Sequence, residues 1–288
     1  MKRQILSTIF SSILSLFLAI VLLGGGLCFY AEETVCDPQP LIQDSMTAQY
    51  AQELYEQIKY DWENYLAITG VVDNTTIMTV LTQENIQKDV VSYIKNSYTG
   101  TSKVDTSELR SQLDTKVREY ISDITGKAEP DEELEANINE LINACMQTYE
   151  RSITIPMLPK ILGTVGKFQK YLVPARLIAF GFGLVIAVII FFLQRKRRNL
   201  FYYTGIATAT NALLILGATG LAEHYSLINR LPIEESALRT LLISYLQFLL
   251  DKLQIVGFVF LAATAFALLM YLLFACIAKL KSRKLVCE

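Results

Sequence analysis

Hydrophobic residues follow two patterns along this chain. In the first they fill whole stretches: Gln4 to Ala31, Leu177 to Leu193, Leu200 to Ala222 and Leu253 to Ala278 contain no Asp, Glu, Lys or Arg. A hydrocarbon core about 30 Å thick is crossed by roughly 20 helical residues, with about 17 to 25 tolerated, so all four stretches can span a bilayer. The second is the shortest, and Tyr171 to Arg176 can lengthen it, with Arg176 reaching the interface along its apolar stem.

In the second pattern, apolar residues recur every three or four positions, as on one face of a helix. Ala51, Leu54, Tyr55, Ile58, Trp62, Tyr65 and Leu66 predict a helix over 46–68, ended by Gly70. A second helix starts after Thr82, an N-cap with Glu84 in the first turn, and presents Ile86, Val90, Tyr93 and Ile94 before Gly100. The third opens at "DTSE", where Asp105 and Glu108 have the spacing of a capping box. Its stripe is Leu109, Leu113, Val117, Ile121 and Ile124, closed by Gly126. The fourth begins at "PDEE" with Asp131 as cap and carries Leu134, Ile138, Leu141, Cys145 and Tyr149. Four amphipathic helices can bury a common core. Only "VVDNTTIM", 71–78, has a strand-like look.

The stretch from Ile153 to Pro174 breaks the rhythm with Pro156, Pro159 and Pro174 and with lysines among apolar residues. Proline interrupts helices, so an elbow at the membrane interface is expected here, with a gate or substrate-lining segment as the alternative. Beyond the third apolar stretch, "PIEESALRTLLISYLQFLLDKL" holds Leu238, Leu241, Leu242, Tyr245, Leu249 and Leu250 on one broad face. That is an amphipathic helix lying on the outer leaflet or docked under the first domain, running on into the last span.

The cations give these pieces a direction. Lys and Arg of short loops stay on the cytoplasmic side. Lys2 and Arg3 precede the first span, Arg195, Lys196, Arg197 and Arg198 fill the loop between the second and third, and Lys279, Lys281, Arg283 and Lys284 follow the fourth. Four spans put these three places on one side, so both termini are expected in the cytoplasm and 32–170 outside it. That outer stretch has 23 acidic and 12 basic residues, a net charge near −11, against 5 acidic and 14 basic elsewhere. Such an acidic domain repels phosphate and is not a nucleic-acid binder. RKRR, set between two spans, serves topology and can meet anionic headgroups. The composition, 52% hydrophobic and 19% charged over 288 residues, fits an integral membrane protein.

The expected fold is thus an all-α integral membrane protein: four transmembrane helices with an extracytoplasmic helical bundle domain between the first and second. In order these are the first span (1–31), the acidic domain (32–155), the elbow (156–174), the second span (175–194), the basic turn (195–199), the third span (200–222), an outer loop with an amphipathic helix (223–252), the fourth span (253–278) and a cytoplasmic tail (279–288). The first apolar run exceeds the roughly 7 to 15 residues of a signal-peptide core and reads as an uncleaved anchor. In "LGGGLC", Leu27 stands where a lipobox needs Gly or Ala before Cys28. Ser7, Ser11 and Ser15 form a small-residue stripe suited to close helix packing.

Candidate chemistry is sparse. Cys36 and Cys145 both fall outside, where a disulfide could close a loop of about 110 residues and stabilise by a few kcal/mol; two buried thiols are the alternative. Cys276 and Cys287 lie at the cytoplasmic face, where acylation is possible. His224 is the only histidine, which excludes a His-rich metal site. Asn74-Thr75-Thr76 is a glycosylation sequon. There is no CxxC, P-loop, nucleotide-binding glycine fingerprint or GxSxG. No cofactor is expected. The spans hold no ionisable residue of the kind that marks ion routes. The third is the most polar, and Thr208 and Asn211 are its candidate intramembrane contacts, lining a path or bonding a neighbouring helix. Glu132, Glu133 and Glu135 could serve an enzyme, but sit in a first turn where they complement the helix dipole.

One span, a large outer domain and three further spans with both termini inside is a layout similar to that of FtsX-type and MacB-type permease subunits. That resemblance implies force transmission between a cytoplasmic ATPase and an outer domain. It covers topology and no motif, and the docking surfaces such subunits use have no counterpart here, where only Met1 to Arg3 precede the first span and RKRRN forms the loop. The expectation is a non-enzymatic membrane protein whose outer domain binds or senses an unidentified extracytoplasmic ligand, acting with lipids and with other membrane proteins or copies of itself. The rival expectations are a small transporter or channel subunit, and a membrane-embedded enzyme acting on envelope lipid or sugar.

Overall fold

The computed structural model describes residues 2–69, 77–101, 103–126, 131–194, 197–230, 232 and 236–284. Among these no strand occurs, and the helices are α1 (Lys2–Tyr30), leading into a π-helical turn (Ala31–Val35), α2 (Asp44–Thr69), α3 (Gln83–Tyr98), α4 (Ser107–Thr125), α5 (Glu132–Ile153), α6 (Leu158–Gln194), α7 (Arg197–His224) and α8 (Ser236–Lys284). Four of them, α1 with its turn, α6, α7 and α8, are long and apolar enough to cross a membrane. The chain is an all-helical, multi-pass membrane protein.

It forms two compact units. One comprises Met1–Asp37, Phe168–Leu231 and Leu246–Glu288. Its buried centre is Leu18 and Ala19 of α1 against Ile186 and Ile190 of α6 and Tyr203 and Ala207 of α7. Apolar side chains such as Phe10, Leu184, Leu213 and Leu269 point outward, a surface suited to hydrocarbon. Small residues let the helices close up. A Cβ on Gly25 would lie 3.3 Å from that of Ala179, and one on Gly257 2.7 Å from Leu216 Cδ2.

The other unit comprises Pro38–Lys167 and Pro232–Tyr245. The amphipathic stripes of α2 to α5 face one another: Ile58 and Trp62, Ile86 and Ile94, Leu113 and Val117, and Ile138 and Tyr149 are all almost wholly buried in one core. Each fully buried side chain of this size contributes roughly 1.5 to 3 kcal/mol. Thr82 and Asp131 cap α3 and α5, accepting from the backbone amides of Asn85 at 3.2 Å and Leu134 at 3.0 Å. Gly126 ends α4 in the left-handed region at φ 66°.

Three details differ from the sequence reading. The capping box at Asp105 and Glu108 does not form: α4 starts one residue later, Asp105 accepts from the amide and hydroxyl of Ser107, and Glu108 faces Lys88. Ile124 is 65% exposed, since α4 ends just beyond it and its last turn leaves the core. The elbow expected over 156–174 shrinks to a short break after Ile153, where Met157 takes φ 66°, and α6 then runs from Leu158 through both remaining prolines. Pro159 sits in the first turn, where its missing N–H leaves no bond unmade, and Pro174 forgoes one bond of a 37-residue helix. Of the two settings expected for the amphipathic stretch, the first residues of α8 take the docked one. Ala237 and Leu241 join the bundle core, Tyr245 packs against it, and the Thr240 hydroxyl donates to Glu53 Oε1 at 2.8 Å. The strand-like 71–76 and the sequon Asn74 lie outside the described residues.

The start of α6 also packs in this unit through glycine. A Cβ on Gly166 would fall 2.6 Å from the Tyr98 carbonyl oxygen, and one on Gly163 2.9 Å from the Gly100 Cα. Only hydrogen fits where α6 meets the end of α3.

Candidate functional site

In the membrane unit several polar side chains of the spans bond to neighbouring helices. Asn211 of α7, 1% exposed, donates its amide to the Ala19 carbonyl of α1 at 3.0 Å. One turn earlier, the Thr208 hydroxyl accepts from Thr264 of α8 at 2.9 Å and donates to its own helix at Thr204. The serine stripe of α1 is used in the same way. Ser15 donates to the Tyr203 carbonyl at 2.8 Å, Ser7 to the Leu193 carbonyl at 3.2 Å, and Ser11 accepts from Gln194 Nε2 at 2.7 Å. Gln194 Oε1 in turn accepts from Asn199. Hydroxyls four apart on one helix face reach neighbouring backbone because nothing bulkier holds the helices apart.

The opposite end of this unit carries an ion pair. Arg176 Nη1 lies 2.7 Å from Glu32 Oε2, both largely shielded, and the guanidinium rests over the Phe29 ring at 5.5 Å. Tyr30 donates to the Leu249 carbonyl at 2.9 Å, and Gln254 donates to Glu223. His224 is the last residue of α7 and meets the Tyr225 ring edge-on. Of the basic turn, Arg195 and Lys196 lie outside the described residues, Arg197 begins α7, and Arg198 lies over the Tyr271 ring.

The bundle unit has a surface cleft of about 220 Å³ between α3 and the start of α4, lined by Lys88, Asp89, Ser92, Asp105 and Glu108 among others. At its floor the Tyr149 hydroxyl donates to Asp89 Oδ2 at 2.6 Å. Burial raises the Asp89 carboxyl above the usual carboxylate range, with Asp105 and Glu108 pushing the same way and Tyr149 and Lys88 opposing. Burial and the adjacent Asp89 raise the Tyr149 phenol as well. Asp105, at the rim, is held low by its bonds from Ser107. Two rim carboxylates, one deeper carboxylate and one lysine suit a ligand that donates hydrogen bonds or carries positive charge.

Behind the cleft lies the core. Trp62 Nε1 donates to the Cys145 carbonyl at 3.1 Å, and the Trp62 and Tyr149 rings are 6.4 Å apart. Burial pushes the Cys145 thiol up to about 12. Cys36 is buried too, but belongs to the other unit, and no disulfide joins the two. Of the acidic turn at α5, Glu135 is committed: both its oxygens accept from Arg118 at 2.7 Å, and Arg118 Nε donates to Asp114 at 2.9 Å. Among the described residues no group of three or more His, Cys, Asp or Glu is placed to hold a metal ion.

The chain matches no protein-family model, no curated protein and no solved structure. Its chemistry is therefore read from its own residues. Sequence reasoning passed over Asp89 and the pairing of Arg176 with Glu32. Asp89 was findable: it lies three residues after Ile86 and four before Tyr93, on the flank of the buried stripe, where a carboxylate needs a partner.

Proposed function

We propose that this is a membrane-anchored binding or sensing protein whose acidic helical unit lies outside the cytoplasm, with both termini inside, and which acts through surrounding lipids and other membrane proteins or further copies of itself. The observation that carries the reading is a division of labour among polar groups. Those of the spans are tied up in hydrogen bonds to a neighbouring helix, as with Asn211 and Ala19, or to their own helix, as with Thr210 and Thr219. The bundle unit instead keeps a cleft whose carboxylates face solvent around a half-buried Asp89. The charge partition along the sequence supports the sidedness.

Two other readings have less support. A transporter needs polar groups left available along a path, and Asn211 and Thr208 are committed to neighbouring helices. Of the α5 carboxylates that an enzyme could use, Glu135 is held on both oxygens by Arg118.

Sidedness is tested first, with a thiol reagent that cannot cross membranes applied to whole cells. Cysteine introduced at Thr115 is expected to react and at Arg197 to be spared; the reverse pattern inverts the topology. Binding is tested by capture of membrane partners with the full chain. Capture should be lost when Asp105 and Glu108 are both changed to Lys and retained in Asn211→Leu. Solute flux in proteoliposomes that Asn211→Leu abolishes would instead establish transport.

A further inference from the structure

Arg198 has a setting unlike that of a surface cation. Its guanidinium lies over the Tyr271 ring of α8, 5.6 Å from the centroid. Its Nε is shut off from solvent without a hydrogen-bond acceptor. Tyr202, four residues further along α7, approaches the same ring, with centroids 5.9 Å apart, and Phe201 stacks on Phe274 at 5.6 Å. Tyr202 is half exposed, so this aromatic platform reaches the lipid-facing surface of the unit.

A ring beneath a guanidinium satisfies its flat face and leaves the in-plane N–H groups unsatisfied. A charged donor buried without an acceptor is costly, and folded proteins rarely leave one so. With Nε enclosed, the terminal Nη pair is left for an acceptor that is planar or forked, anionic, and available at the end of an apolar helix pair. A phosphodiester has that chemistry, because the Arg fork pairs with two phosphate oxygens. The four-cation run to which Arg198 belongs also concentrates anionic lipid at the bilayer surface.

We propose that Arg198, seated on Tyr271, binds the phosphate of an anionic phospholipid, its terminal Nη N–H groups donating to phosphodiester oxygens. The aromatic platform supplies orientation and the guanidinium supplies recognition. The site rests only on the chain lying in a bilayer. It is independent of which side the bundle unit faces and of what that unit binds.

The test uses the full chain in mild detergent and native mass spectrometry, with phosphatidylglycerol, phosphatidylcholine and inorganic phosphate as separate arms. Phosphatidylglycerol should be retained over phosphatidylcholine, and Arg198→Ala should bind it about tenfold more weakly. Arg198→Lys keeps the charge but loses the paired Nη donors of the fork, and should be nearly as weak. Tyr271→Leu removes the platform and should weaken binding too, whereas Arg230→Ala, beyond the opposite end of α7, should not. Equal retention by Arg198→Ala, or full rescue by Arg198→Lys, overturns the assignment. Displacement of phosphatidylglycerol by inorganic phosphate at comparable concentration overturns the lipid source in favour of a soluble phosphate. Should Arg198→Ala fail to fold, Tyr271→Leu decides: unchanged retention there overturns the site.

Discussion

Asn211 on α7 gives its side-chain amide to the backbone carbonyl of Ala19 on α1, 3.0 Å away and closed off from the surroundings. An amide in hydrocarbon has no water to turn to, so this bond fixes two spans to each other. Asn211→Leu should destabilise the membrane unit by about 0.6 to 2 kcal/mol. Thermal unfolding of the full chain in detergent measures this; an unchanged transition would mean that the bond contributes nothing.

Gly166 lets α6 lie close against the end of α3, since a Cβ at that position would lie only 2.6 Å from the Tyr98 carbonyl oxygen. Backbone on the receiving side cannot swing away as a side-chain tip can. Gly166→Ala should therefore cost about 1 to 3 kcal/mol. Gly217→Ala meets open space in the middle of α7 and should be neutral or slightly stabilising. Comparing the two melts separates the contact from glycine's general cost in a helix.

Asp89 and Glu135 should give opposite pH dependences. Burial raises Asp89 in the folded chain, so the fold takes up that proton more readily than the unfolded chain does. Its contribution to stability is complete below the ordinary carboxylate range and is lost as pH rises through the raised value. Glu135 is held low, chiefly by hydrogen bonds from Arg118. Its contribution is present above the ordinary range and is lost as pH falls through the lowered value. Asp89→Asn, which can still accept from Tyr149, should raise the melting temperature at neutral pH and remove the loss on the alkaline side of the carboxylate range. Glu135→Gln should flatten the acid side. Melts of the full chain across a pH series check both.

Cys145 should be inert. Its thiol is buried in the bundle core and pushed up to about 12, so almost no thiolate forms at neutral pH. Alkylation of the native chain should spare Cys145 and modify it fully after denaturation, with peptide mass spectrometry as the readout. Modification at equal rates in both states would place that thiol outside the core.

The parts of the fold legible in the sequence were those set by local repetition. Uninterrupted apolar blocks gave the spanning helices, and three- and four-residue spacing gave α2 to α5. Single residues with one strong role, such as Thr82, Asp131 and Gly126, marked helix ends correctly. What escaped depended on competition or on distant partners. At the start of α4, the Ser107 amide and hydroxyl capture Asp105 before a capping box can form. Around Pro159 and Pro174, the position of each proline within a long helix mattered more than its presence. The need for glycine at Gly163 and Gly166 could not be read locally, because Tyr98 and Gly100, which need them small, are more than sixty residues earlier. Asp89 showed in the sequence as a carboxylate on the flank of a buried stripe, but its partner Tyr149 comes from another helix sixty residues on.

The bonds of α1 to α7 limit how these helices can move. Ser15 reaches Tyr203, and Ala19, one turn further along α1, receives Asn211, two turns further along α7. A piston stroke of one helical turn, about 5.4 Å, would carry both contacts out of reach together. A tilt or a roll about the shared seam can keep both bonds, whereas axial sliding breaks them.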